Sequence, residues 1–326
     1  MKAIVYTKYG SPDVLKLEEV EKPTPKDNEV LVKIHAAAVT IGDVIVVKGE
    51  PFPVRFWSGL LEPKHKIPGK EMAGRVEAVG AKITHFQPGD EVFGDLSVCG
   101  LGAFAEYVSV PENAVITKPA SMTFEEAAAV PMAAVTALQA LRDKGQIQAK
   151  QKVLINGASG GVGTFAVQIA KAFGAEVTGV SSTKKMEMVR SIGADHVIDY
   201  AQEDFTKNGK QYDLILAANG DRSISDYRRA LAPTGTYVMS GGSMSQMTQA
   251  MLIGPWYSKT GGQKMGNMLA KPNNKDLTFV KELVEAGKVV SVIDRCYPLS
   301  EVPEAIRYLE EGHAKGKVVI TVVHNN

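Results

Sequence analysis

Residues 156–163, which read NGASGGVG, decide the fold of this 326-residue chain. An apolar run at 153–156 leads into them, and an amphipathic helical pattern at about 161–173 follows. A strand, a glycine-rich turn and a helix in this order begin a dinucleotide-binding fold, in which backbone amides at the helix start receive a pyrophosphate. A tight strand-to-helix turn without a ligand is the alternative. The predicted contacts are Ser159, Gly160, Gly161, Val162 and Gly163.

Predicted strands and helices alternate after this turn, which indicates a parallel sheet with right-handed crossovers. Further helix patterns lie near 184–192, and further strand patterns lie at 176–180, 196–199, 212–217, 236–240 and 264–269. About six strands suit a doubly wound sheet, whose ligands bind at the carboxyl ends of the strands. Asn219 follows the fourth strand, and Ser240 and Gly241 follow the fifth, so we expect all three to contact the cofactor.

The second strand of such a fold determines which dinucleotide binds, because an acidic residue at its end accepts the ribose hydroxyl of NAD. Residues 180–185 read VSSTKK and contain no carboxylate. Hydroxyl and ammonium groups can instead donate to a 2′-phosphate. The sequence therefore predicts NADPH, bound through Ser181, Ser182 and Lys185.

The first third of the chain is β-rich and resembles a small barrel, with strand patterns at 30–35, 74–79 and 104–110. A capped helix start at 123–126 (TFEE) marks a change of pattern. The sequence after residue 271 predicts two more helices and two more strands, near 277–286, 302–311, 290–295 and 318–323. These elements are additional to the six strands of the nucleotide sheet. We therefore expect a catalytic domain at 1–124 and 270–326, interrupted by a nucleotide domain at 125–269.

Composition excludes several classes of protein. The chain has 37 basic and 36 acidic residues, so its net charge of +1 gives no reason to expect a nucleic-acid partner. No apolar run approaches the roughly 20 residues of a membrane span, and no secretory signal is visible, so we expect a cytoplasmic protein. Cys99 and Cys296 are too isolated for a disulfide framework or a structural zinc knot and are expected to be buried, reduced thiols.

Six collinear motifs resemble those of a known superfamily. They are MKAIV at 1–5, PGKEMAG at 68–74, PGDEVFG at 88–94, AAAVP at 127–131, ASGGVG at 158–163 and GADHVIDY at 193–200. With them the chain resembles the medium-chain dehydrogenase/reductase superfamily, and specifically its zinc-free quinone oxidoreductase branch. The resemblance implies an α/β protein in which a GroES-like, β-rich catalytic domain is interrupted by a doubly wound Rossmann domain, commonly as a homodimer.

The resemblance also bears on metal binding. Zinc-dependent members of the superfamily hold their metal through a cysteine and a histidine at positions that here are Thr40 and Lys70. Neither side chain is a zinc ligand, and the six histidines are scattered, so no metal is expected. Without a Lewis acid, alcohol oxidation is less favoured than hydride transfer from NADPH to a quinone or an α,β-unsaturated carbonyl.

Further site residues follow from the resemblance alone. Thr40 is the catalytic candidate, because its hydroxyl could bond a substrate carbonyl or the nicotinamide amide; the alternative is packing within a strand. Thr136 matches a threonine near the nicotinamide, and Tyr200 matches a tyrosine beside the adenosine phosphate. Lys317 matches a basic residue of the active site in relatives, or is a surface charge.

Alternatives remain open at this point. The tyrosine that donates a proton in related enoyl-thioester reductases is missing from residues 48–53, where Phe52 stands, and this disfavours thioesters. Residues 54–60 either line a hydrophobic acceptor pocket or form a locally packed cover. The competing functions are a nucleotide-binding interaction or structural protein with little turnover, and a zinc-type alcohol dehydrogenase.

Overall fold

The computed structural model describes residues 1–260 and 262–322. The chain forms two compact units, one made of Met1–Met132, Pro272–Lys281 and the described residues from Ser291 onward, the other of Ala133–Lys271 and Glu282–Val290. We call them the catalytic unit and the nucleotide unit. The domain limits at 124/125 and 269/270 stay predictions.

Two hydrogen-bonded contacts explain where the unit limits fall. The Met132 amide donates to the Glu71 carboxylate at 2.6 Å, which ties residues 125–132 to the catalytic unit. The Gln168 side chain bonds both the amide and the carbonyl of Val290, at 2.8 and 3.0 Å, so the segment 282–290 groups with the nucleotide unit.

The described strands are β1 Lys2–Val5, β2 Lys16–Glu19, β3 Glu29–Val39, β4 Glu71–Val79, β5 Glu91–Asp95, β6 Tyr107–Pro111, β7 Val115–Thr117, β8 Lys152–Asn156, β9 Glu176–Ser181, β10 His196–Asp199, β11 Tyr212–Ala217, β12 Leu231–Met239, β13 Lys264–Asn267, β14 Ile293–Pro298 and β15 Lys317–Thr321.

The described α-helices are α1 Ile41–Lys48, α2 Arg55–Ser58, α3 Phe124–Ala128, α4 Pro131–Leu138, α5 Gly161–Ala172, α6 Met186–Ser191, α7 Ile224–Ala230, α8 Met244–Leu252, α9 Gly254–Thr260, α10 Asn274–Glu285 and α11 Val302–Glu310. A π-helix, Gln139–Lys144, continues α4. Short 3-10 helices include Phe52–Val54 and Thr183–Lys185.

The nucleotide unit contains a six-stranded sheet in the order β10-β9-β8-β11-β12-β13, and every neighbouring pair is parallel. Counted from β8 this is the order 3-2-1-4-5-6 of the doubly wound dinucleotide fold, so the predicted fold is confirmed. The chain reverses direction across the sheet between β8 and β11, and this is where such folds bind their ligand.

Apolar burial explains why β8 and α5 flank the turn. Val153, Leu154 and Ile155 are fully buried, as expected for a central strand covered on both faces. On α5 all residues from 163 to 170 are buried, with Phe165 and Ile169 fully so, and this part of the helix is therefore covered on every side.

The catalytic unit is built on a seven-stranded sheet in which β3 pairs with β4, β6 and β15. These pairs are antiparallel, and β14 adds to β15 in parallel. The pairing of β15 with β3 returns the carboxyl-terminal segment to the amino-terminal sheet. The predicted strand at 318–323 begins one residue earlier, and Val323 lies outside the described residues.

The cysteine prediction was wrong on burial. Both thiols are free, but Cys99 is half-buried and Cys296 is exposed. Cys296 lies on β14, an edge strand whose middle residues face solvent, which strand periodicity alone did not indicate. Among the described helices, none has the length and apolar character to cross a membrane.

Candidate functional site

The glycine turn joins β8 to α5 in the nucleotide unit. Gly157 has a φ of 85°, a left-handed conformation that glycine adopts without strain. The Gly157 and Ala158 amides donate to the Val180 carbonyl at 3.2 and 3.0 Å, which ties the turn to β9. Gly160 precedes the first helical residue, and among the described side chains none caps α5 there. The amides of its first turn are therefore available to an anion.

Two glycines of the turn serve different purposes. A Cβ at Gly163 would lie 2.0 Å from the Gly157 carbonyl oxygen, so this glycine allows the helix to approach the turn. A Cβ at Gly160 would meet nothing closer than that same oxygen, at 3.6 Å. No protein atom requires glycine at position 160, and this suits a position where a ligand comes close to the backbone. Ser159 is buried, whereas Gly161 and Val162 are half-buried beside it.

The end of β9 carries the predicted 2′-phosphate contacts. Ser181 is buried, Ser182 is half-buried, and Lys185 ends a 3-10 helix with a half-buried side chain. The Tyr200 amide donates to the Ser181 carbonyl at 3.1 Å, and the Tyr200 side chain is 53% exposed. These four residues therefore lie at one edge of the sheet, and their contact with a nucleotide stays a prediction.

Asp199, which the sequence did not single out, is a buried carboxylate that pairs in register with Ser181 from the neighbouring strand. It accepts hydrogen bonds from the Thr183 hydroxyl, the Ala201 amide and the Gln202 side chain. The bond from Thr183 is the main cause that lowers the pKa of Asp199. An acidic residue thus does lie beside this edge, but its oxygens already accept from Thr183 of the 3-10 helix and from Ala201 and Gln202 after β10.

Asn219, Ser240 and Gly241 lie at the carboxyl ends of β11 and β12. The Asn219 amide donates to the Asn156 carbonyl at 3.1 Å, and its Cβ lies 2.8 Å from where Gly157 would carry one. The amides of Ser240 and Gly241 both donate to the Ala217 carbonyl, at 3.0 and 3.2 Å.

The state of the Ser240 hydroxyl indicates whether a ligand fits at the carboxyl ends of these strands. Its Oγ is buried and has no hydrogen-bond partner among the described residues. A buried hydroxyl without a partner is unfavourable unless a ligand supplies one. Together with the uncapped start of α5, it makes the switch point of the sheet suitable for a polar, phosphorylated ligand.

Thr136 lies on α4 and is buried. Its position beside a nicotinamide stays a prediction.

The catalytic unit buries a cluster of charged side chains, which we call the charged cluster. Its members come from α1, the start of β4, the end of β5 and the start of β15. Each is at most 8% exposed: Asp43, Lys70, Glu71, Asp95 and Lys317.

Within the charged cluster, Glu71 and Lys317 form a buried ion pair. Burial raises the pKa of Glu71 to about 7, while the neighbouring Lys317 ammonium acts in the opposite direction. Lys317 is therefore a buried, paired residue and not a surface charge. Direct contact between Lys317 and the cofactor stays a prediction.

Thr40 begins α1 as its N-cap. Its hydroxyl donates to the Asp43 carboxylate at 2.6 Å and accepts from the Asp43 amide at 3.2 Å, and its own amide donates to that carboxylate at 2.8 Å. This capping box uses the hydroxyl proton inside the protein. The catalytic role of Thr40 stays a prediction, and in this conformation the hydroxyl proton is already donated to Asp43.

Two oxygens of the charged cluster have no hydrogen-bond partner in the described chain, Asp43 Oδ1 and Asp95 Oδ2. Burial raises the pKa of both carboxyls, and the positive charge of Lys70 is among the influences that lower it again. From the sequence, Lys70 counted only as evidence against zinc, and neither aspartate was predicted as a site residue. The spacing Thr40-x-x-Asp43 was a readable capping signal.

Residues 52–60 expose aromatic side chains. Phe52 is 57%, Phe56 74% and Trp57 49% exposed, and the two phenylalanine rings meet edge to face at 5.8 Å. Such exposure does not fit a locally packed cover, so of the two alternatives a surface for an apolar ligand is favoured.

No group of three or more His, Cys, Asp or Glu side chains in the described part of the chain is arranged to hold a metal ion.

Comparison with known proteins identifies two family regions. Residues 26–120 match the alcohol dehydrogenase GroES-like domain, and residues 192–320 match the family described as zinc-binding dehydrogenase. The second description names zinc, but positions 40 and 70, where the zinc-dependent members carry ligands, lie outside 192–320 and are threonine and lysine here.

Relatives resemble the chain over nearly its whole length. It is 37% identical to the 2-methylene-furan-3-one reductase of Solanum lycopersicum, over 98% of this chain and 79% of the relative. It is 34% identical to the chloroplastic NADPH-dependent alkenal/one oxidoreductase of Arabidopsis thaliana, with the same coverage. The solved quinone oxidoreductase of Coxiella burnetii superposes with a TM-score of 0.88 at 29% identity, covering 99% of both chains. The chain belongs to the zinc-free quinone oxidoreductase branch of the medium-chain dehydrogenase/reductase superfamily.

Proposed function

We propose that this protein is an NADPH-dependent, zinc-independent oxidoreductase that delivers a hydride to a quinone or an α,β-unsaturated carbonyl. The observation that carries the proposal is the glycine turn with its uncapped helix start, together with the unpartnered Ser240 hydroxyl at the carboxyl end of β12, two strands away. The names of the relatives support the acceptor class, since one is a reductase of a methylene-furanone, one of alkenals and enones, and one of quinones.

The nucleotide unit supplies binding and orientation. NADPH, when bound, supplies the hydride. The first-turn amides of α5 would hold its pyrophosphate, and Ser240 would gain a hydrogen-bond partner from it. Ser181, Ser182 and Lys185 would donate to the 2′-phosphate. Asp199 supports that edge indirectly, because it holds Thr183 and the 3-10 helix in place.

The catalytic unit supplies a surface for the acceptor. Trp57 and Phe56 offer exposed aromatic faces, on which a flat conjugated ring or enone can stack. Phe52 has no hydroxyl, so it can contact an acceptor but gives it no proton. The proton that completes the reduction then comes from water or from another side chain of this unit.

Two finer points are also proposals. We infer a homodimer, which the exposed apolar side chains of Met251, Leu252 and Trp256 on α8 and α9 support as an association surface. We also infer a cytoplasmic location, although the Arabidopsis relative is named as chloroplastic. Sedimentation of the wild type against a Met251→Glu variant tests the first point, and imaging of the tagged full chain tests the second.

The test of the function is NADPH consumption, followed by its absorbance, with a panel of quinones, alkenals, cyclic enones and enoyl thioesters. We expect turnover with the quinones and enones, faster with NADPH than with NADH, and unaffected by a chelator. Tight NADPH binding with no turnover on any acceptor would instead favour the interaction or structural role. Activity lost to the chelator and restored by zinc would favour the alcohol dehydrogenase.

A further inference from the structure

Lys70 is a buried lysine whose ammonium has no ion-pair partner among the described residues. Three lysines of the catalytic unit are at most 7% exposed: Lys70, Lys118 and Lys317. Lys317 is paired with Glu71, and Lys118 contacts the Glu91 carboxylate at 3.1 Å and donates to two backbone carbonyls. Among residues 1–260 and 262–322, no hydrogen bond or salt bridge reaches Lys70 Nζ.

The protein holds this ammonium at a defined place. The Lys70 carbonyl accepts from the Leu96 amide at 2.6 Å, which fixes the backbone at the start of β4. A Cβ at Gly42 would lie 2.4 Å from Lys70 Nζ and 3.3 Å from Thr40 Oγ1, so the glycine makes room for the ammonium beside the Thr40 hydroxyl. The lysine is therefore positioned by packing and not by an ionic contact.

The described carboxyl groups near Lys70 interact with its positive charge but accept no hydrogen bond from its ammonium. Asp43 and Asp95 interact with its charge, yet each has an oxygen without a hydrogen-bond partner in the described structure. The Lys70 ammonium has three donors, and none of them is used among the described residues, so they are available to a ligand oxygen. The arrangement thus resembles a prepared donor site for a negatively charged or polarised oxygen.

An aromatic ring lies next to the same ammonium. The Trp57 ring centroid is 5.8 Å from Lys70 Nζ, and Trp57 is half-exposed. A flat conjugated molecule stacked on Trp57 could bring an oxygen toward the lysine. Stacking and a single strong donor are the two features that a quinone or an enone needs for orientation.

We propose that Lys70 is a catalytic residue that donates a hydrogen bond to the acceptor carbonyl and stabilises the oxyanion formed during reduction. This inference rests on the proposed function. The hydride adds two electrons to the β-carbon of an enone, and the C=C electron pair shifts to leave an enolate whose negative charge is on oxygen. In a quinone the hydride goes instead to one carbonyl oxygen, and its two electrons leave the negative charge of a hydroquinone monoanion on the other oxygen. Lys70 remains protonated, and water gives the proton that neutralises the product.

The two acceptors should depend on Lys70 to different degrees. An enolate is a much stronger base than a hydroquinone monoanion, so more charge must be stabilised on its oxygen as the transition state forms. A donor aimed at developing charge acts on kcat and is worth most where that charge is largest. Loss of the lysine should therefore slow enone reduction more than quinone reduction, which a general structural defect would not do.

The experiment compares Lys70→Met, Lys70→Gln and Lys70→Arg with Lys64→Met, a matched control at an exposed lysine six positions upstream. NADPH affinity is measured by fluorescence titration, and kcat is measured with one cyclic enone and one benzoquinone. For Lys70→Met we expect unchanged NADPH affinity and a kcat for the enone lower by about 100-fold, the size seen when one oxyanion donor is removed. We expect a smaller loss with the quinone, intermediate values for Lys70→Gln, and near wild-type rates for Lys70→Arg and the control.

Three results would overturn the inference: an enone kcat within a few-fold of wild type in Lys70→Met, equal losses with both acceptors, or Lys70→Arg as slow as Lys70→Met. If Lys70→Met does not fold, Lys70→Gln is compared with Lys70→Arg instead. The inference then requires that the ratio of enone kcat to quinone kcat falls in Lys70→Gln and stays near the wild-type ratio in Lys70→Arg. Failure of the proposed function has a different signature, because the wild type itself would then oxidise no NADPH with either acceptor.

Discussion

The glycine turn and the charged cluster differ in the polar groups that they present. The turn presents backbone amides, and the cluster presents ionisable side chains. The turn offers backbone amides that lack side-chain caps, and it is built from eight consecutive residues. The charged cluster buries five ionisable side chains contributed by four separate segments. Backbone donors at a helix start are solvated until a ligand arrives, whereas buried charges must be compensated from within the protein. Substitutions at the turn should thus affect mainly binding, and those in the charged cluster should affect folding as well.

The largest effect should come from breaking the Glu71–Lys317 pair. Lys317→Met leaves the buried Glu71 carboxylate without its counter-charge, and we expect it to lower the free energy of unfolding by about 3–5 kcal/mol. Glu71→Gln resembles the protonated Glu71 that the raised pKa favours below about 7, so we expect a smaller loss for it. The double variant should recover much of that loss, because no charge is then left without its partner. Urea unfolding of the four proteins measures this cycle. Strictly additive losses would mean that the pair contributes nothing as a pair.

A somewhat smaller effect should appear in the pH dependence of stability. The pKa of Glu71 is raised from 4.5 to about 7 in the folded protein. Between these values the folded state binds more protons than the unfolded state, so the Glu71 contribution is fully present below pH 4.5 and is lost as the pH rises through 7. The loss is about 3 kcal/mol. The free energy of unfolding is measured against pH for the wild type and for Glu71→Gln, and the difference between the two curves gives the contribution of Glu71. Parallel curves would contradict the raised pKa.

Alanine substitutions at Gly163 and Gly160 should have different effects, the first on stability and the second on NADPH binding. In Gly163→Ala the new Cβ collides with the Gly157 carbonyl, and we expect a loss of about 1–3 kcal/mol in stability. In Gly160→Ala the space is open, so stability should change by less than about 1 kcal/mol. NADPH affinity should nevertheless fall by about tenfold or more, or about 1.4 kcal/mol. Thermal unfolding and calorimetric titration measure the two quantities, and an unchanged affinity in Gly160→Ala would place the phosphate elsewhere.

The smallest effect should be on the choice of nucleotide. Ser182→Asp adds a carboxylate at the end of β9 that would repel a 2′-phosphate and accept from a ribose hydroxyl. We expect the ratio of NADPH to NADH affinity to fall by about tenfold. Ser191→Asp, an exposed position at the end of α6, is the matched control and should leave the ratio unchanged. If both variants behave alike, the 2′-phosphate does not lie at this edge.

The same contrast explains what the sequence could predict. The turn, β8 and α5 are contiguous, so local periodicity and the glycine spacing were enough to predict them. The doubly wound parallel sheet followed from the alternation of strands and helices, because crossovers in such sheets obey a fixed hand. The order 3-2-1-4-5-6 came from the structure. Asn219 and Ser240 were predicted for the same reason, since parallel strands end at one edge.

The charged cluster could not be predicted in this way. Glu71 and Lys317 are 246 positions apart and meet only because β3 pairs with both β4 and β15. Nothing local to either residue indicates its partner. Lys70 was recognised only as a poor metal ligand, although a lysine and a glutamate in an otherwise buried strand start were a visible anomaly. Asp199 was missed because its partner Thr183 lies across a strand pair and not on the same strand.

Hydride should pass from NADPH to the acceptor, at the β-carbon when the acceptor is an enone, without a metal ion. The most direct measurement uses NADPH deuterated at the nicotinamide C4, a cyclic enone and chelator-treated protein, with mass spectrometry and NMR of the product. The account predicts one deuterium on the β-carbon of the saturated ketone and a rate that the chelator does not change. Product with only solvent hydrogen at that carbon, or turnover that stops until zinc is restored, would contradict it.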